Sequence, residues 1–224
     1  MLAEVARTPR FALVPVAALL ALAACGGGGE ESAAADDPAP EEAAVATQDT
    51  GAEPPGELEE GAVPEELPRL DEEDLPEEPG DDAPLGERIA FEALDKISSF
   101  AQTADPGAEY SCPDIAGEEG ETATCTVTFM GEEFEYSIDI ESSGFIVQYQ
   151  QDMPEGPVVR EAVQDQLRYS TGAERVFCDM DDVARAAPES EVEDATCYYE
   201  RDGRVEETGL SVNTYGYAEF DESR

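Results

Sequence analysis

The stretch "FEYSIDIE", residues 134–141, alternates strictly between apolar and polar side chains. Its apolar members are Phe134, Tyr136, Ile138 and Ile140. Side chains of a strand point alternately to opposite faces, so this period of two predicts a strand with one buried and one solvated face. The pattern is typical of an antiparallel sheet that is covered on one side. The stretch therefore predicts a sheet whose apolar face needs a covering element.

Two amphipathic patterns predict helices that could cover the apolar face of such a sheet. Apolar residues recur at i, i+4, i+7 and i+11 in the first pattern, namely at Ala90, Leu94, Ile97 and Ala101. The second pattern is a stripe at Val159, Val163 and Leu167, with Val158, Ala162 and Tyr169 beside it. Such spacing places one face of a helix against a core. Helices that cover antiparallel strands predict an α+β fold.

An internal repeat extends this arrangement along the chain. "ATC" occurs at residues 123–125 and again at 195–197, each time followed by strand-like sequence and a Gly turn. Another cysteine precedes each copy, Cys112 and Cys178, and "MPEGPVV" between the copies is a Pro/Gly boundary. The repeat predicts two tandem units, residues 84–153 and 154–224, each a helix packed on an antiparallel sheet.

The repeat also selects a cysteine pairing. Four cysteines allow three pairings, but equivalent cysteines in equivalent units should form equivalent bonds. We therefore predict disulfides between Cys112 and Cys125 and between Cys178 and Cys197. A redox pair or a zinc site is the alternative, and it is disfavoured because the chain has no Cys-x-x-Cys and no His.

The fifth cysteine ends a signal sequence. The positively charged start "MLAEVARTPR" is followed by an apolar run at residues 11–24, which is shorter than the roughly 20 residues of a membrane span. Leu22-Ala23-Ala24-Cys25 matches the bacterial lipobox. We predict a lipoprotein signal peptide at residues 1–24 and lipidation of Cys25, which would hold the chain on the extracytoplasmic face of the membrane. The alternative is an ordinary secretory peptide with a cysteine by chance.

Residues 25–83 are rich in Gly, Ala, Pro, Asp and Glu and show no apolar period. Low hydrophobicity with high net charge is typical of chain that does not fold by itself. We predict a disordered acidic tether over this range, and a weak cation sink is the functional alternative.

Three stretches carry a resemblance to a known family: "CPDI" at 112–115, "GETATCTVTF" at 120–129 and "FEYSIDI" at 134–140. Together with the lipobox and the acidic linker they resemble the actinobacterial domain of unknown function 4333. Cys112, Pro113, Gly120 and Cys125 are at the matching positions, and the resemblance covers residues 84–150. The second unit resembles a diverged copy, with Asp179 in the place of the proline. The resemblance implies a fold and a location but no mechanism.

Charge and composition exclude several functions. The chain carries 55 Asp and Glu against 12 Lys and Arg, a net charge of −43, with no His. Such a surface repels nucleic-acid phosphates, and the lack of His removes His-based general bases and triads. Phosphate-binding Gly loops are also missing, so we predict neither an enzyme nor a cofactor.

An acidic cluster in "CDMDDV", namely Asp179, Asp181 and Asp182, suggests calcium, but Ala184 stands where an EF-hand loop needs Gly. We predict instead that these acids cap and begin a helix through "VARAA", residues 183–187. The chain is thus expected to hold no metal.

Aromatic residues concentrate in the second unit, at Tyr198, Tyr199, Tyr215, Tyr217 and Phe220. They predict a face that binds a protein or a glycan, with plain sheet packing as the alternative. The sequence as a whole predicts a lipid-anchored, extracytoplasmic, non-enzymatic binding or structural module of the cell envelope, whose partner is an envelope protein or glycan of unknown identity. The alternative is a hydrolase inhibitor or an envelope sensor built from tandem helix-on-sheet units.

Overall fold

The computed structural model describes residues 51–144 and 146–221. The helices are α1 (Leu85–Ala101) and α2 (Arg160–Thr171), with a short 3-10 helix at Glu72–Asp74. The strands are β1 (Glu59–Glu60), β2 (Glu109–Ser111), β3 (Thr122–Phe129), β4 (Glu132–Ser142), β5 (Gln148–Asp152), β6 (Gly156–Val159), β7 (Arg175–Asp179), β8 (Val183–Ala186), β9 (Ser190–Arg201), β10 (Arg204–Val212) and β11 (Ala218–Phe220). The predicted signal peptide and Cys25 lie outside the described residues.

The strands form three antiparallel sheets, and the α+β prediction is confirmed. The first sheet has the order β2-β3-β4-β5, the second has the order β1-β7-β9-β10-β11, and β6 pairs with β8 in a small third sheet. Neighbours in the first sheet are also neighbours in sequence, so the sheet is built without crossover connections.

Helix α1 covers the apolar face of the first sheet. The alternating residues of β4 point as predicted, since Phe134 and Tyr136 are each 1% exposed whereas Glu135 lies on the solvated face. They share one core with α1 residues such as Leu94 and Ile97. Helix α2 packs in the same way against the second sheet, where Val163 and Leu167 meet β7 and β9. A left-handed Gly172 ends α2.

The two cores meet at the end of α1. Phe100, in the last turn of that helix, packs in the core of the second sheet. Conversely Val159 of β6 packs in the core of the first sheet. Gly216 lies so close that an added Cβ would fall 1.9 Å from the Phe100 carbonyl oxygen, and its φ of 80° also requires glycine.

Two helix predictions are wrong, because the residues concerned form strands of the small third sheet. Val158 and Val159 belong to β6 and α2 begins only at Arg160, while the predicted helix "VARAA" is largely strand β8. The two strands pair with each other, Val158 opposite Ala184 and Val159 opposite Val183. A strand partner about 25 residues away overrides the local helical pattern here, since such pairing is invisible in a short window.

Part of the predicted tether is ordered against the second sheet, which differs from the disorder that its composition predicts. Residues 51–61, which we call the strap, cross the outer face of the second sheet. At one end the Ala52 N–H donates to the Val205 carbonyl at 2.9 Å. At the other end β1 pairs with β7, and the Gly61 N–H donates to the Glu174 carbonyl at 2.8 Å.

The middle of the strap lies on an aromatic ring. A Cβ added at Gly56 would lie 2.6 Å from Phe177 Cζ, so the glycine permits this close approach. Arg168 of α2 holds the strap from the side, because its Nη2 donates to the Glu59 carbonyl at 3.3 Å. The strap is ordered by a surface that the rest of the chain provides, which its own composition does not reveal.

Both disulfides connect neighbouring strands. Cys112, just after β2, is bonded to Cys125 of β3, and Cys178 of β7 is bonded to Cys197 of β9. This is the pairing that follows from the repeat. Disulfides form and persist in oxidising compartments, so they indicate an extracytoplasmic location. Neither helix of the described chain is long and apolar enough to cross a membrane.

Candidate ligand-binding cleft

An open cleft of ≈ 880 Å³ lies along the outward side of α1. One wall is the segment around residues 72–78, and the other is the start of β5 with the residues before it. Six apolar side chains line it: Leu75, Pro76, Leu85, Phe91, Ile146 and Val147. Its volume lies within the range of about 300–1,000 Å³ in which proteins bind small ligands.

Acidic side chains define the chemistry of the cleft. Its four carboxylates are Glu72, Glu78, Glu92 and Asp95, and its cation is Arg88. Glu92 and Asp95 are three residues apart on α1 and so project from the same face of the helix. Glu72 and Glu78 approach from the opposite wall. The cleft therefore offers an apolar surface with an excess of negative charge.

Hydrogen bonds fix the Glu92 carboxylate. The Tyr149 hydroxyl donates to its Oε2 at 2.5 Å, and the Gln151 side-chain amide donates to its Oε1 at 2.6 Å. The buried Tyr136 donates in turn to Gln151. Both oxygens of Glu92 are thus already held by donors from the first sheet, which leaves their remaining lone pairs in defined directions.

Burial and like charge act on Asp95. Desolvation, together with the negative charges of Glu72, Glu92 and Glu78, raises the pKa of the Asp95 carboxyl above its ordinary value, while Lys96 opposes the shift. Burial and the hydrogen bond to Glu92 also raise the pKa of Tyr149 to about 12. A cation in the cleft would relieve the repulsion among these carboxylates.

In residues 51–144 and 146–221 no group of three or more His, Cys, Asp or Glu side chains is placed to hold a metal ion. The acids lie on two sides of the cleft, among its apolar side chains. Such an arrangement suits a ligand that combines positive charge with apolar groups.

The five aromatic residues predicted as a binding face do not share one face. Tyr198 stacks on Phe177 beneath the strap, at 6.4 Å between ring centroids. Tyr199 points to the opposite side of β9, where its hydroxyl donates to Glu206 at 2.5 Å. Consecutive strand residues must point to opposite faces, which separates these two.

The other three predicted residues divide into two places. Tyr215, which is 72% exposed, lines a second, smaller cavity together with Tyr217. Phe220 lines a shallow groove with Tyr199 at the far end of the second sheet. Of the five predicted residues, only Tyr215 and Tyr217 therefore line the same cavity, and the other three lie elsewhere on the second sheet.

Sequence reasoning missed the cleft. A signal was present on α1, where Phe91 lies next to Glu92 and so interrupts an otherwise polar side of the helix. The ring of Phe91 packs edge-on against Tyr110 at 6.4 Å. The opposite wall comes from the predicted tether, so no local pattern could have indicated it.

Comparisons with protein-family models, with curated proteins and with solved structures find no match for this chain.

Proposed function

We propose that this chain is an extracytoplasmic binding module that holds a basic, partly apolar segment of an envelope protein in the cleft along α1. The observation that carries the proposal is the Glu92 carboxylate, held by Tyr149 and Gln151 beside the partly buried Asp95. A fixed carboxylate among apolar side chains binds a cation without reorganising, which is what a preorganised binding site requires.

A peptide fits this cleft better than a small amine does. The cleft is open, and its apolar lining comes from three separate segments, represented by Leu75, Phe91 and Val147. Alternating basic and apolar side chains could contact carboxylates and apolar groups in turn. The excess negative charge of the chain would also speed the encounter with a basic partner.

Binding rather than catalysis is the activity that these groups support. The chain has no His to serve as a general base near neutral pH. Both oxygens of Glu92 are engaged as hydrogen-bond acceptors, which suits a fixed electrostatic contact. The proposed module is accordingly non-enzymatic and needs no cofactor.

Fluorescence anisotropy with a labelled peptide tests the cleft. The probe is a five-residue peptide that alternates Lys and Leu, and its matched comparison alternates Glu and Leu. The full chain should bind the basic peptide, and the double variant Glu92→Gln/Asp95→Asn should weaken that binding about tenfold, or about 1.4 kcal/mol.

The control separates the cleft from the overall charge. Glu135→Gln/Asp139→Asn removes the same two charges from the solvated face of β4. That double variant should change the affinity by less than about twofold, because the charges are remote and screened. Equal losses in the two double variants, equal binding of the acidic peptide or no binding at millimolar concentration would each contradict the proposal.

We also propose that the lipidated Cys25 anchors the module to the membrane. Support comes from the lipobox Leu22-Ala23-Ala24-Cys25 and from the two disulfides. Mass spectrometry of the N-terminal peptide from the membrane fraction should find Cys25 as the first residue, carrying a diacylglycerol group. A mature chain that begins elsewhere and carries no lipid would contradict this part.

The tandem-unit arrangement remains part of the proposal. Its support is that β2-β3-β4-β5 and β7-β9-β10-β11 are both antiparallel series that follow a helix, with a disulfide between the first two strands. Strand β8 is an addition in the second series and pairs with β6 outside it. We interpret the two series as copies of one ancestral unit.

A further inference from the structure

A second cavity lies where α1 ends, and it differs from the acidic cleft in charge. It has a volume of ≈ 310 Å³ and is bounded by residues 69–72, by the last turns of α1 and by residues 214–217. Two cations, Arg69 and Lys96, line it together with Tyr215, Tyr217 and Gln102. Lys96 is the only lysine of the chain.

The tyrosine side of this cavity is rigidly built. Asn213 Oδ1 accepts the N–H groups of Tyr215 at 2.9 Å and Tyr217 at 3.2 Å. The Gly216 N–H donates to the Asn213 carbonyl at 3.0 Å, and Gly216 packs against Phe100. The turn that presents both tyrosines is thus held by its own side chain and by the end of α1.

Gln102 connects that turn to the helix. This residue ends α1 in the left-handed conformation, and it is 7% exposed. Its side-chain amide donates to the Ser99 carbonyl at 2.5 Å and to the Tyr215 carbonyl at 2.8 Å. The walls of the cavity are therefore joined to each other before any ligand arrives, which lowers the entropic cost of binding.

The two cations are unusual in this chain because acids outnumber bases by 55 to 12. Five arginines form ion pairs with carboxylates: Arg160, Arg168, Arg175, Arg185 and Arg201. Among residues 51–144 and 146–221, no carboxylate oxygen comes within ion-pairing distance of Arg69 or Lys96. One carboxylate, Glu72, also lines the cavity, which leaves an excess of positive charge there.

We infer that this cavity binds a small organic anion, in which one carboxylate is attached to a planar or apolar body. Arg69 and Lys96 would contact the carboxylate, while Tyr215, Tyr217 and Phe100 would contact the body. The charge of the whole chain does not prevent this, since at physiological salt charges more than about 8 Å away are largely screened. The cavity shares Glu72 with the acidic cleft but has its own cations and aromatic side chains, and the inference does not depend on the function proposed for that cleft.

Titration of the isotope-labelled full chain with phenylacetate, followed by nuclear magnetic resonance, tests the inference. Phenylacetate should shift the side-chain amide signal of Gln102 and the backbone amide signal of Tyr215 in a saturable manner. Phenylacetamide, which has the same shape without the charge, should bind at least about threefold more weakly, as expected for the loss of an exposed ion pair. Inorganic phosphate, which lacks the apolar body, should also bind more weakly.

A matched pair of variants tests whether the charge of Lys96 contributes to phenylacetate binding. Lys96→Gln should weaken phenylacetate binding about threefold to fivefold. Arg88→Gln removes the same charge from the same helix but on the acidic cleft, and it should leave the affinity unchanged. Equal effects of the two variants, equal affinities for phenylacetate and phenylacetamide, or no saturable shift up to about 10 mM would overturn the inference.

Discussion

The two large sheets differ in what covers their outer faces. The outer face of the first sheet is polar, with Thr124 opposite Ser137 at 3.4 Å between hydroxyl oxygens and with Glu135 exposed. The outer face of the second sheet carries the stacked pair Phe177 and Tyr198. The strap covers that pair, and Tyr198 is only 8% exposed.

This difference shows that an acidic segment with two prolines can be ordered when a sheet offers it backbone partners on two strands and an aromatic ring. The strap hydrogen-bonds to β10 at one end and to β7 at the other, and it needs no apolar stripe of its own. The first sheet offers only polar side chains on its outer face. Hydration satisfies those groups, so no second layer is required.

The largest expected effect is the loss of stability when an aromatic ring is removed from the core beneath α1. We compare it with the loss of a ring from the face that the strap covers. Phe129→Ala removes a ring that is 0% exposed beneath α1, and it should lower the free energy of unfolding by about 3–5 kcal/mol. Phe177→Ala removes a half-buried ring beneath the strap and should cost about 1–2 kcal/mol. Urea unfolding of both variants measures the difference. Equal losses would mean that the strap seals its face as completely as a helix does.

The disulfides allow a direct comparison of the two sheets. Replacing Cys178 and Cys197 by alanine opens a loop with a sequence separation of 19, whereas the Cys112–Cys125 bond closes one of 13. Loop-closure entropy predicts a loss of about 3 kcal/mol for each pair, about 0.3 kcal/mol larger for the second sheet. Urea unfolding of the two double variants checks this. A reversed order by more than about 1 kcal/mol would indicate that strain rather than loop length controls stability.

Gly56→Val should release the strap. The new side chain would collide with the Phe177 ring and cost about 1–3 kcal/mol, with part of the cost relieved by movement of the strap. A Glu-specific protease should then cut faster at residues 57–60. Gly144→Val is the control, because nothing lies within 4 Å of a Cβ at Gly144. If both variants were cut at the same rate, the strap would not depend on its contact with Phe177.

The smallest effect concerns the acidic cleft beside the first sheet. Because the pKa of Asp95 is raised in the folded chain, the folded state binds more protons than the unfolded state between the ordinary value of 3.8 and the raised value. Stability therefore falls as pH rises through this window, and the penalty is complete above it. Asp95→Asn should raise the melting temperature at pH 7.

The same variant should have no such effect at about pH 3, where the carboxyl is protonated in both states. Asp139→Asn on the solvated face of β4 serves as the control and should not reproduce the increase. Thermal melts of both variants at the two pH values test the cause. An increase of the same size at both pH values would exclude proton linkage at Asp95.

Local patterns were sufficient for much of the fold. The alternation at residues 134–141 and the stripe from Ala90 to Ala101 predicted β4 and α1 because both elements bury one face against a single layer. The adjacent pair Tyr198 and Tyr199 carried a further signal, since two consecutive aromatic residues of a strand point to opposite faces and so mark a strand covered on both sides.

The sequence by itself determined the fold class, the strand that faces solvent on one side and the net charge of −43. Only the tertiary structure decided that residues 158–159 form a strand, that the strap lies on Phe177 and that Glu92 meets Tyr149, 57 residues away. The physical reason is that periodicity reports how one segment distributes its own side chains. Pairing, burial of a polar segment and the walls of a cleft depend on surfaces that distant segments provide.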